Sequence, residues 1–270
     1  MNTKIELNKP GQDLIWGEKE IGSDKIHSTT FGDRILYYGQ IENELRIANR
    51  AIVNGLQMPG PDLEWQRWVF KQNIVKVILR PACPDRPVVV KPENRFRLAE
   101  KSDARIYIRV PIFIQIVLKE KPENVIYEVP SVTLSNTWFG DFFQGDLCYW
   151  ISSRAQRFVP AEKSEPHLVI CPIHLINETA QNLDVENICL RMNNLTIYDV
   201  DGQLWTDETR TVFKGSGEMS QIEVGGKPPL EAKRATIRSQ PREKTHKSFT
   251  AKTFATLGDL PGFGLFSKEE

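Results

Sequence analysis

The sequence lacks several features that would assign it to a familiar class. It has no apolar run of the roughly 18 residues that a membrane-spanning helix needs. Its first residues do not combine a basic start with an apolar core, so we expect no secretory leader and a cytoplasmic protein. The phosphate-binding patterns GxxxxGK(S/T) and GxGxxG and the serine-hydrolase pattern GxSxG are absent. These absences argue against the common nucleotide-dependent enzymes and serine hydrolases.

Cysteine is scarce too: the chain has 4, far apart in the sequence and never in a CxxC pair. Cys148, Cys171 and Cys189 lie in apolar segments typical of strands, where a free thiol behaves as a small buried hydrophobe. In a reducing cytosol we expect these cysteines and Cys83 to form no disulfides.

Histidine is equally rare, with 4 in the chain, and one group resembles a metal site in its spacing: His167, Cys171 and His174. Alternation along a strand puts Cys171 and His174 on opposite faces, whereas a metal needs ligands that converge. We therefore predict no metal site and no cofactor.

Period-two hydrophobic patterning is abundant. The segment from Arg105 to Leu118, RIYIRVPIFIQIVL, has an apolar residue at every second position and predicts a strand with one face in a core. Pro111 lacks an N–H, which predicts an edge or a bulge at that point. Shorter segments of the same kind lie at 65–70, 73–80, 87–90, 95–99, 125–134, 146–152, 167–176, 186–192 and 195–206.

These short strands predict a mainly β protein with sandwich-like antiparallel sheets in two packed units. Asp201-Gly202 fits a type I′ hairpin turn, because both central residues of that turn take positive φ. Residues 39–53 fit either a short helix or a further strand pair, and their apolar positions do not decide between the two.

The predicted division is a β-rich domain at 1–160, a second sandwich-like unit at 161–226 and a basic tail at 227–270. Within 227–257 there are eight lysines and arginines against two glutamates, and few large apolar residues. Such composition predicts disorder, followed by a small apolar terminus. The tail could attract nucleic acid or an anionic surface through its basic side chains: Lys233, Arg234, Arg238, Arg242, Lys244 and Lys247.

The densest stretch of the chain is SNTWFGDFFQGDLCYW, residues 135–150. Its candidate catalytic groups are Asp141, Asp146 and Cys148. Two aspartates five apart in a loop are typical of turns that bond their own backbone, and the near neighbours of Cys148 predict a raised thiol pKa. We interpret the stretch as a tight corner in which Trp138, Phe139 and Cys148 close the end of a β core.

The same stretch resembles a family of prokaryotic proteins known as domain-of-unknown-function family 432. The matching signature spans Val129 to Tyr149, and its most distinctive members are Trp138, Phe139, Gly140, Gly145, Cys148 and Tyr149. The resemblance implies no catalytic residue, cofactor or reaction. Some relatives are encoded near mechanosensitive-type membrane channels, which implies an accessory role for this chain.

From the residues and the resemblance together, we expect a non-enzymatic binding or accessory module that acts through a protein partner, with a membrane channel as one candidate. Two alternatives stay open at this stage. One is a hydrolase or sugar-directed enzyme built on Asp141 and Asp146, and the other is nucleic-acid binding through the basic tail.

Overall fold

A computed structural model describes residues 4–7, 15–52, 63–71, 76–140, 143, 145–153, 155–159, 165–215, 219–243 and 248–255. Strands dominate these residues, and their only helical segments are two 3-10 turns, Met192–Asn194 and Leu230–Ala232. The prediction of a mainly β protein is confirmed. No helix among the described residues is long and apolar enough to cross a membrane.

The strands of the N-terminal half are, in chain order, β1 (Lys4–Leu7), β2 (Gly17–Glu20), β3 (Lys25–Phe31), β4 (Arg34–Ile41), β5 (Glu44–Ala51), β6 (Gln66–Val69), β7 (Lys76–Ala82), β8 (Val88–Pro92), β9 (Phe96–Leu98), β10 (Asp103–Pro111), β11 (Phe113–Leu118) and β12 (Lys121–Pro130). Those that follow are β13 (Ser135–Phe139), β14 (Asp146–Ser153), β15 (Leu168–Asn177), β16 (Leu183–Val185), β17 (Asn187–Leu190), β18 (Ile197–Val200), β19 (Gln203–Thr206), β20 (Thr209–Phe213), β21 (Met219–Val224), β22 (Thr236–Ser239), β23 (Ser248–Lys252) and β24 (Phe254–Ala255).

The chain forms two compact units. The first consists of Met1–Ala82, Pro111–Thr133 and Glu165–His167. Its strands form one sheet in the order β1-β3-β4-β5-β6 and another in the order β12-β11-β7-β2. The Nδ2 of Asn49 on β5 donates a hydrogen bond to the hydroxyl of Tyr127 on β12 at 2.5 Å, so the two sheets contact each other through side chains, as in a sandwich.

The second unit consists of Cys83–Val110, Leu134–Ser164 and Leu168–Glu270. Its largest sheet has the order β22-β18-β19-β15-β20-β21-β23, with β10 also paired to β15. A second sheet has the order β13-β14-β8-β17-β24, and β9 and β16 form a small pair. The rings of Phe213 on β20 and Phe254 on β24 lie 6.0 Å apart, so the two larger sheets are in contact.

The described part of segment 39–53 is a pair of strands, not a helix. β4 and β5 are antiparallel with Ile41 opposite Glu44, which leaves a two-residue turn of Glu42 and Asn43. Glu42 has a φ of 55°, a conformation that tight hairpin turns require. The predicted Asp201-Gly202 turn is also present, with φ angles of 51° and 83° and Val200 opposite Gln203.

The long strand predicted from Arg105 to Leu118 is instead two strands in different units. β10 ends at Pro111, and the N–H of Ile112 donates to the carbonyl of His167 at 3.0 Å. Because β10 belongs to the second unit and β11 to the first, the proline marks a passage of the chain between units. Alternation continues through the passage, so the hydrophobic pattern alone does not reveal it.

The segments of the two units interleave along the chain, and the observed division therefore differs from the predicted consecutive domains 1–160 and 161–226. The prediction of a disordered tail is corrected over its described part. β22 pairs with β18, β23 with β21, and β24 with β17. The tail is ordered here because strands β17, β18 and β21 offer it backbone hydrogen bonds, and the amino-acid composition of the tail does not reveal such pairing. Residues 244–247 and 256–270 lie outside the described residues.

Candidate functional site

The signature stretch forms the β13–β14 ladder at one edge of a sheet in the second unit. The strands are antiparallel, with Thr137 opposite Cys148 and Trp138 opposite Leu147. Since side chains alternate between faces along a strand, this register distributes the signature over two faces of the sheet. Gly140 directly follows β13 with a φ of 115°, a conformation that favours glycine.

One face carries what we call the aromatic surface, formed by Trp138, Leu147, Tyr149 and Asn136. Trp138 is 42% exposed and Leu147 is 46% exposed. The prediction that Trp138 closes the end of the core is therefore wrong, because the register turns it away from Phe139 and Cys148, which are buried.

Charged and polar groups hold Tyr149 on this surface. The guanidinium of Arg86 lies 5.4 Å from the centre of its ring, and the tyrosine hydroxyl donates to a carboxylate oxygen of Asp85 at 2.9 Å. Burial and the negative Asp85 raise the pKa of Tyr149. Arg86 also donates to Oδ1 of Asn136 at 3.2 Å, so one arginine connects β13 and β14 side chains.

The opposite face carries a buried thiol cluster of Cys148, Cys189, Val89 and Phe139, with Trp150 packed against it. These residues come from β13, β14, β8 and β17, four consecutive strands of the sheet. Neither Cys148 nor Cys189 takes part in a disulfide, and the thiol of Cys148 donates a hydrogen bond to the carbonyl oxygen of Asp146 at 3.4 Å.

An ion pair lies beside the thiol cluster. Nη1 of Arg191 is 2.7 Å from a carboxylate oxygen of Asp146, and the arginine side chain is mostly buried. The neighbouring Cys189 thiol and the positive charge of Arg191 lower the pKa of the Cys148 thiol. The expectation of a raised pKa at Cys148 is therefore wrong, since it considered only neighbours along the chain.

The catalytic pair of Asp141 and Asp146 stays a prediction that the described residues do not test. Asp146 is engaged by Arg191, and Asp141 lies outside the described residues. Sequence reasoning also missed Arg191 itself. Its only sequence signal is its position two residues after Cys189, which places both side chains on one face of an extended segment.

His174, of the predicted metal-like group His167, Cys171 and His174, pairs with an aspartate outside that group. Nε2 of His174 lies 2.9 Å from a carboxylate oxygen of Asp103, whereas Cys171 is fully buried and desolvation raises its pKa to about 12. Among the described residues, no group of three or more His, Cys, Asp or Glu side chains is arranged to hold a metal ion.

Two of the basic residues assigned to nucleic acid or an anionic surface have structural contacts inside the second unit. Arg238 forms an ion pair with the buried Asp199 at 2.8 Å, and Nε of Arg242 donates to the carbonyl of Cys83 at 2.6 Å. Lys233 and Arg234 are exposed, and Lys244 and Lys247 lie outside the described residues.

A family model described as "Protein of unknown function (DUF432)" matches residues 15–258, which is most of the chain and includes the whole β13–β14 ladder. No curated protein and no solved structure matches the chain significantly.

Proposed function

We propose that this chain, which belongs to the DUF432 family of proteins of unknown function, is a non-enzymatic binding module for a protein partner. The partner contributes an extended segment that pairs with β13 and contacts the aromatic surface. The observation that carries the proposal is the half-exposed pair of Trp138, on the edge strand β13, and Leu147, opposite it on β14.

The backbone of β13 supports pairing with a partner strand. β13 is the first strand of its sheet, and within the described part of the chain it pairs with β14 alone. An edge strand presents backbone N–H and C=O groups that an incoming strand can use, and many peptide-binding domains recognise their ligands in this way.

The side chains provide a contact site beside that edge. Trp138 and Leu147 are directly opposite each other across the ladder, so their apolar surfaces adjoin. Tryptophan is among the residues that most often dominate the binding energy of protein interfaces. Phe143, in the connection between the two strands, is 91% exposed and adds apolar surface to the same hairpin.

The polar groups around Tyr149 give the site an oriented rim. Arg86 is held by Tyr149 and Asn136, and Asp85 accepts the tyrosine hydroxyl, so the rim is ordered before a partner arrives. A polar rim around apolar anchors is the usual anatomy of an interface. The matching partner segment is extended and has apolar side chains at alternate positions, because strand side chains repeat every second residue. A cytoplasmic segment of a membrane channel is the partner that the family resemblance suggests.

The test uses a photoreactive phenylalanine analogue, introduced at one position at a time and activated in cells of the native organism. The analogue at Trp138 should form a covalent adduct with one protein, and the adduct should map to an extended segment. Ile237 is the matched control, because it is also an exposed apolar residue on an edge strand of the second unit.

Purified partner and protein then give the energetic test. The double substitution Trp138→Ser and Leu147→Ser should weaken binding by about 30-fold or more, the loss expected for a hot spot of about 2 kcal/mol. Ile237→Ser should leave the affinity unchanged. Equal crosslinking from both positions, or full affinity in the double variant, contradicts the proposal.

A further inference from the structure

The hydrogen bonds of β14 determine which backbone groups of β13 face the outer edge of the sheet. The N–H of Tyr149 donates to the carbonyl of Pro87 at 2.9 Å, so the backbone groups of Tyr149 are directed towards β8. Asn136 is opposite Tyr149, and in such a pair of an antiparallel ladder the two residues direct their backbone groups away from each other. The N–H and C=O of Asn136 therefore point outwards, and so do those of Trp138, two residues further along.

An incoming strand meets these two residues in a fixed arrangement. It pairs through its backbone with Asn136 and Trp138, and residues opposite each other in paired strands have their side chains on the same face of the sheet. The two partner residues that pair with Asn136 and Trp138 therefore both project onto the aromatic surface. The residue between them projects onto the other face, as Thr137 does. The partner thus contacts the aromatic surface with two side chains spaced two positions apart.

The two contact positions differ in chemistry. At one of them, Trp138 and Leu147 offer apolar surface. At the other, Nη1 of Arg86 donates to Oδ1 of Asn136 at 3.2 Å, and the same guanidinium lies 5.4 Å from the centre of the Tyr149 ring. Within the part of the chain that the structure describes, Arg86 forms no ion pair. A guanidinium is a planar fork of several N–H donors that matches a carboxylate, so Arg86 has donors left for an acidic side chain.

From this arrangement we propose that Arg86 selects the partner by binding an acidic side chain. The recognised segment has an apolar residue opposite Trp138 and, two positions away, a glutamate or aspartate opposite Asn136. The inference rests on the function proposed above, because it concerns the segment that pairs with β13. It adds the side chains by which that segment is recognised and the residue that reads one of them.

The charges around this position favour a negative side chain. Asp85 precedes Arg86 in the sequence, but its carboxylate accepts the hydroxyl of Tyr149 at 2.9 Å and forms no ion pair with the guanidinium. Arg242 is held by the carbonyl of Cys83 at 2.6 Å, and its positive charge opposes the rise in the pKa of Tyr149, as that of Arg86 does. Two arginines thus act on Tyr149 against one aspartate. A complementary partner side chain is negative, and such complementarity governs the choice of partner more than the affinity.

The test selects peptides from a random library displayed on phage, with the full-length protein as the target. The enriched sequences should share an aromatic or branched aliphatic residue and, two positions from it, an aspartate or glutamate. The double substitution Trp138→Ser and Leu147→Ser should not enrich these sequences, because it removes the apolar contact. Thermal unfolding checks that every variant used as a target is folded.

Reversal of one charge should change the selected residue. Arg86→Glu should enrich lysine or arginine at the position of the acidic residue and leave the apolar residue unchanged, because a glutamate repels the original carboxylate and attracts a cation. Arg97→Glu is the matched control, since Arg97 is an exposed arginine of the same unit whose carboxylate partner is Asp184. It should enrich the same sequences as the wild type.

Calorimetric titration with one enriched peptide measures the contact itself. Arg86→Gln should weaken binding of the acidic peptide by about fivefold, the size expected for a charged pair at a partly exposed rim. The same peptide with glutamine in place of its acidic residue should bind the wild type and Arg86→Gln equally. This second comparison separates the ion pair from the loss of packing on Tyr149.

The outcomes distinguish this inference from the function on which it rests. Peptides that require Trp138 and Leu147 but show no acidic preference would overturn the role of Arg86 alone, and so would an acidic preference that is unchanged in Arg86→Glu. Failure of the wild type to enrich any peptide, or enrichment of the same peptides by the double variant, would overturn both the role of Arg86 and the binding site on the aromatic surface.

Discussion

Asp207 illustrates how a single residue in the second unit depends on burial. Its carboxylate accepts a hydrogen bond from the N–H of Thr196 at 2.6 Å and one from the hydroxyl of Tyr198 at 3.0 Å. The side chain is completely buried, and desolvation raises its pKa above the ordinary value of 3.8 in spite of these bonds. The folded state therefore binds a proton at Asp207 more readily than the unfolded chain does.

The raised pKa predicts a specific dependence of stability on pH. The stabilising contribution of the Asp207 proton is fully present below the unfolded pKa of about 3.8 and is lost as the pH rises through the folded pKa. Relative to Asp207→Asn, which does not titrate, the free energy of unfolding of the wild type should fall as the pH rises through this window. Urea denaturation at a series of pH values measures the difference.

Asp184 is the control with the opposite sign. Its hydrogen bond from Arg97 lowers its pKa, so its contribution is present above the unfolded pKa and is lost as the pH falls through the folded pKa. The difference between the wild type and Asp184→Asn should rise with pH, and by little, because the pair is exposed. Parallel pH trends for the two aspartates would contradict the assignment.

The environment of Cys148 shows why residue-level chemistry was only partly predictable. Its burial followed from the apolar alternation of the stretch. Its lowered pKa did not, because Cys189 and Arg191 are some forty residues further along the chain and meet Cys148 only when β14 and β17 join the same sheet. The immediate sequence neighbours of a strand residue point to the opposite face of the sheet, whereas its electrostatic environment comes from the strands beside it.

At the level of elements, the β3–β4 pair depends on a glycine. Gly39 is opposite Ile26 in the antiparallel register. A Cβ atom at position 39 would lie 3.0 Å from the Cα of Ile26 and closer still to the carbonyl oxygen of Lys25. The backbones of β3 and β4 therefore approach each other more closely than a side chain at this position allows.

Gly39→Ala should reduce the free energy of unfolding by about 3 kcal/mol or more. The added methyl group would clash with backbone atoms of β3, which are fixed by strand pairing and cannot move aside as a flexible side chain could. Gly202→Ala is the control: its added Cβ meets no atom within 4 Å, and its φ of 83° leaves a backbone cost of about 1 kcal/mol. Chemical denaturation of both variants measures the difference. Equal losses would show that the close approach at Gly39 is not limiting.

Elements were predictable where local sequence determines them. The period-two segments and the Asp201-Gly202 turn required only neighbouring residues, and the structure has them. The pattern in 39–53 fits both helical and strand periods, so pairing with β3 and β6 decides it. The break at Pro111 was misread because alternation is the same on both sides of the passage between units.

At the level of the whole molecule, the C-terminal residues complete the sheets. β22 and β23 are the two outer strands of the largest sheet, and β24 is the outer strand of the sheet that contains the thiol cluster. Arg238 adds an ion pair to the buried Asp199. Their loss would expose the edges of β17, β18 and β21 at the same time.

Deletion of residues 227–270 should therefore give an insoluble protein or one with a strongly lowered unfolding temperature, because paired edges become open ones. Truncation after Ala255 retains every described strand and is the control. Soluble yield and thermal unfolding compare the two. A stable, soluble product ending at residue 226 would show that the three strands contribute little.

The overall division into units was the least predictable property. Composition indicated a boundary near 160–166, where the chain does pass between units, but it gave no sign of the passages near 82, 110 and 133. Which strands pair over long sequence separations depends on packing and twist that no single segment encodes. The class of the fold was accessible from the sequence, and its topology was not.

This interleaving has a consequence for how the chain matures on the ribosome. β7 pairs with β2 and β11, and β11 pairs with β12, so this sheet stays incomplete until residue 130 has been synthesised. The N-terminal unit also includes Glu165–His167, by which time much of the second unit has left the exit tunnel. Neither unit can finish folding before the other has begun, and a nascent chain stalled near residue 82 carries β7 with one edge unpaired, because β11 has not been made, and this open edge invites chaperone binding.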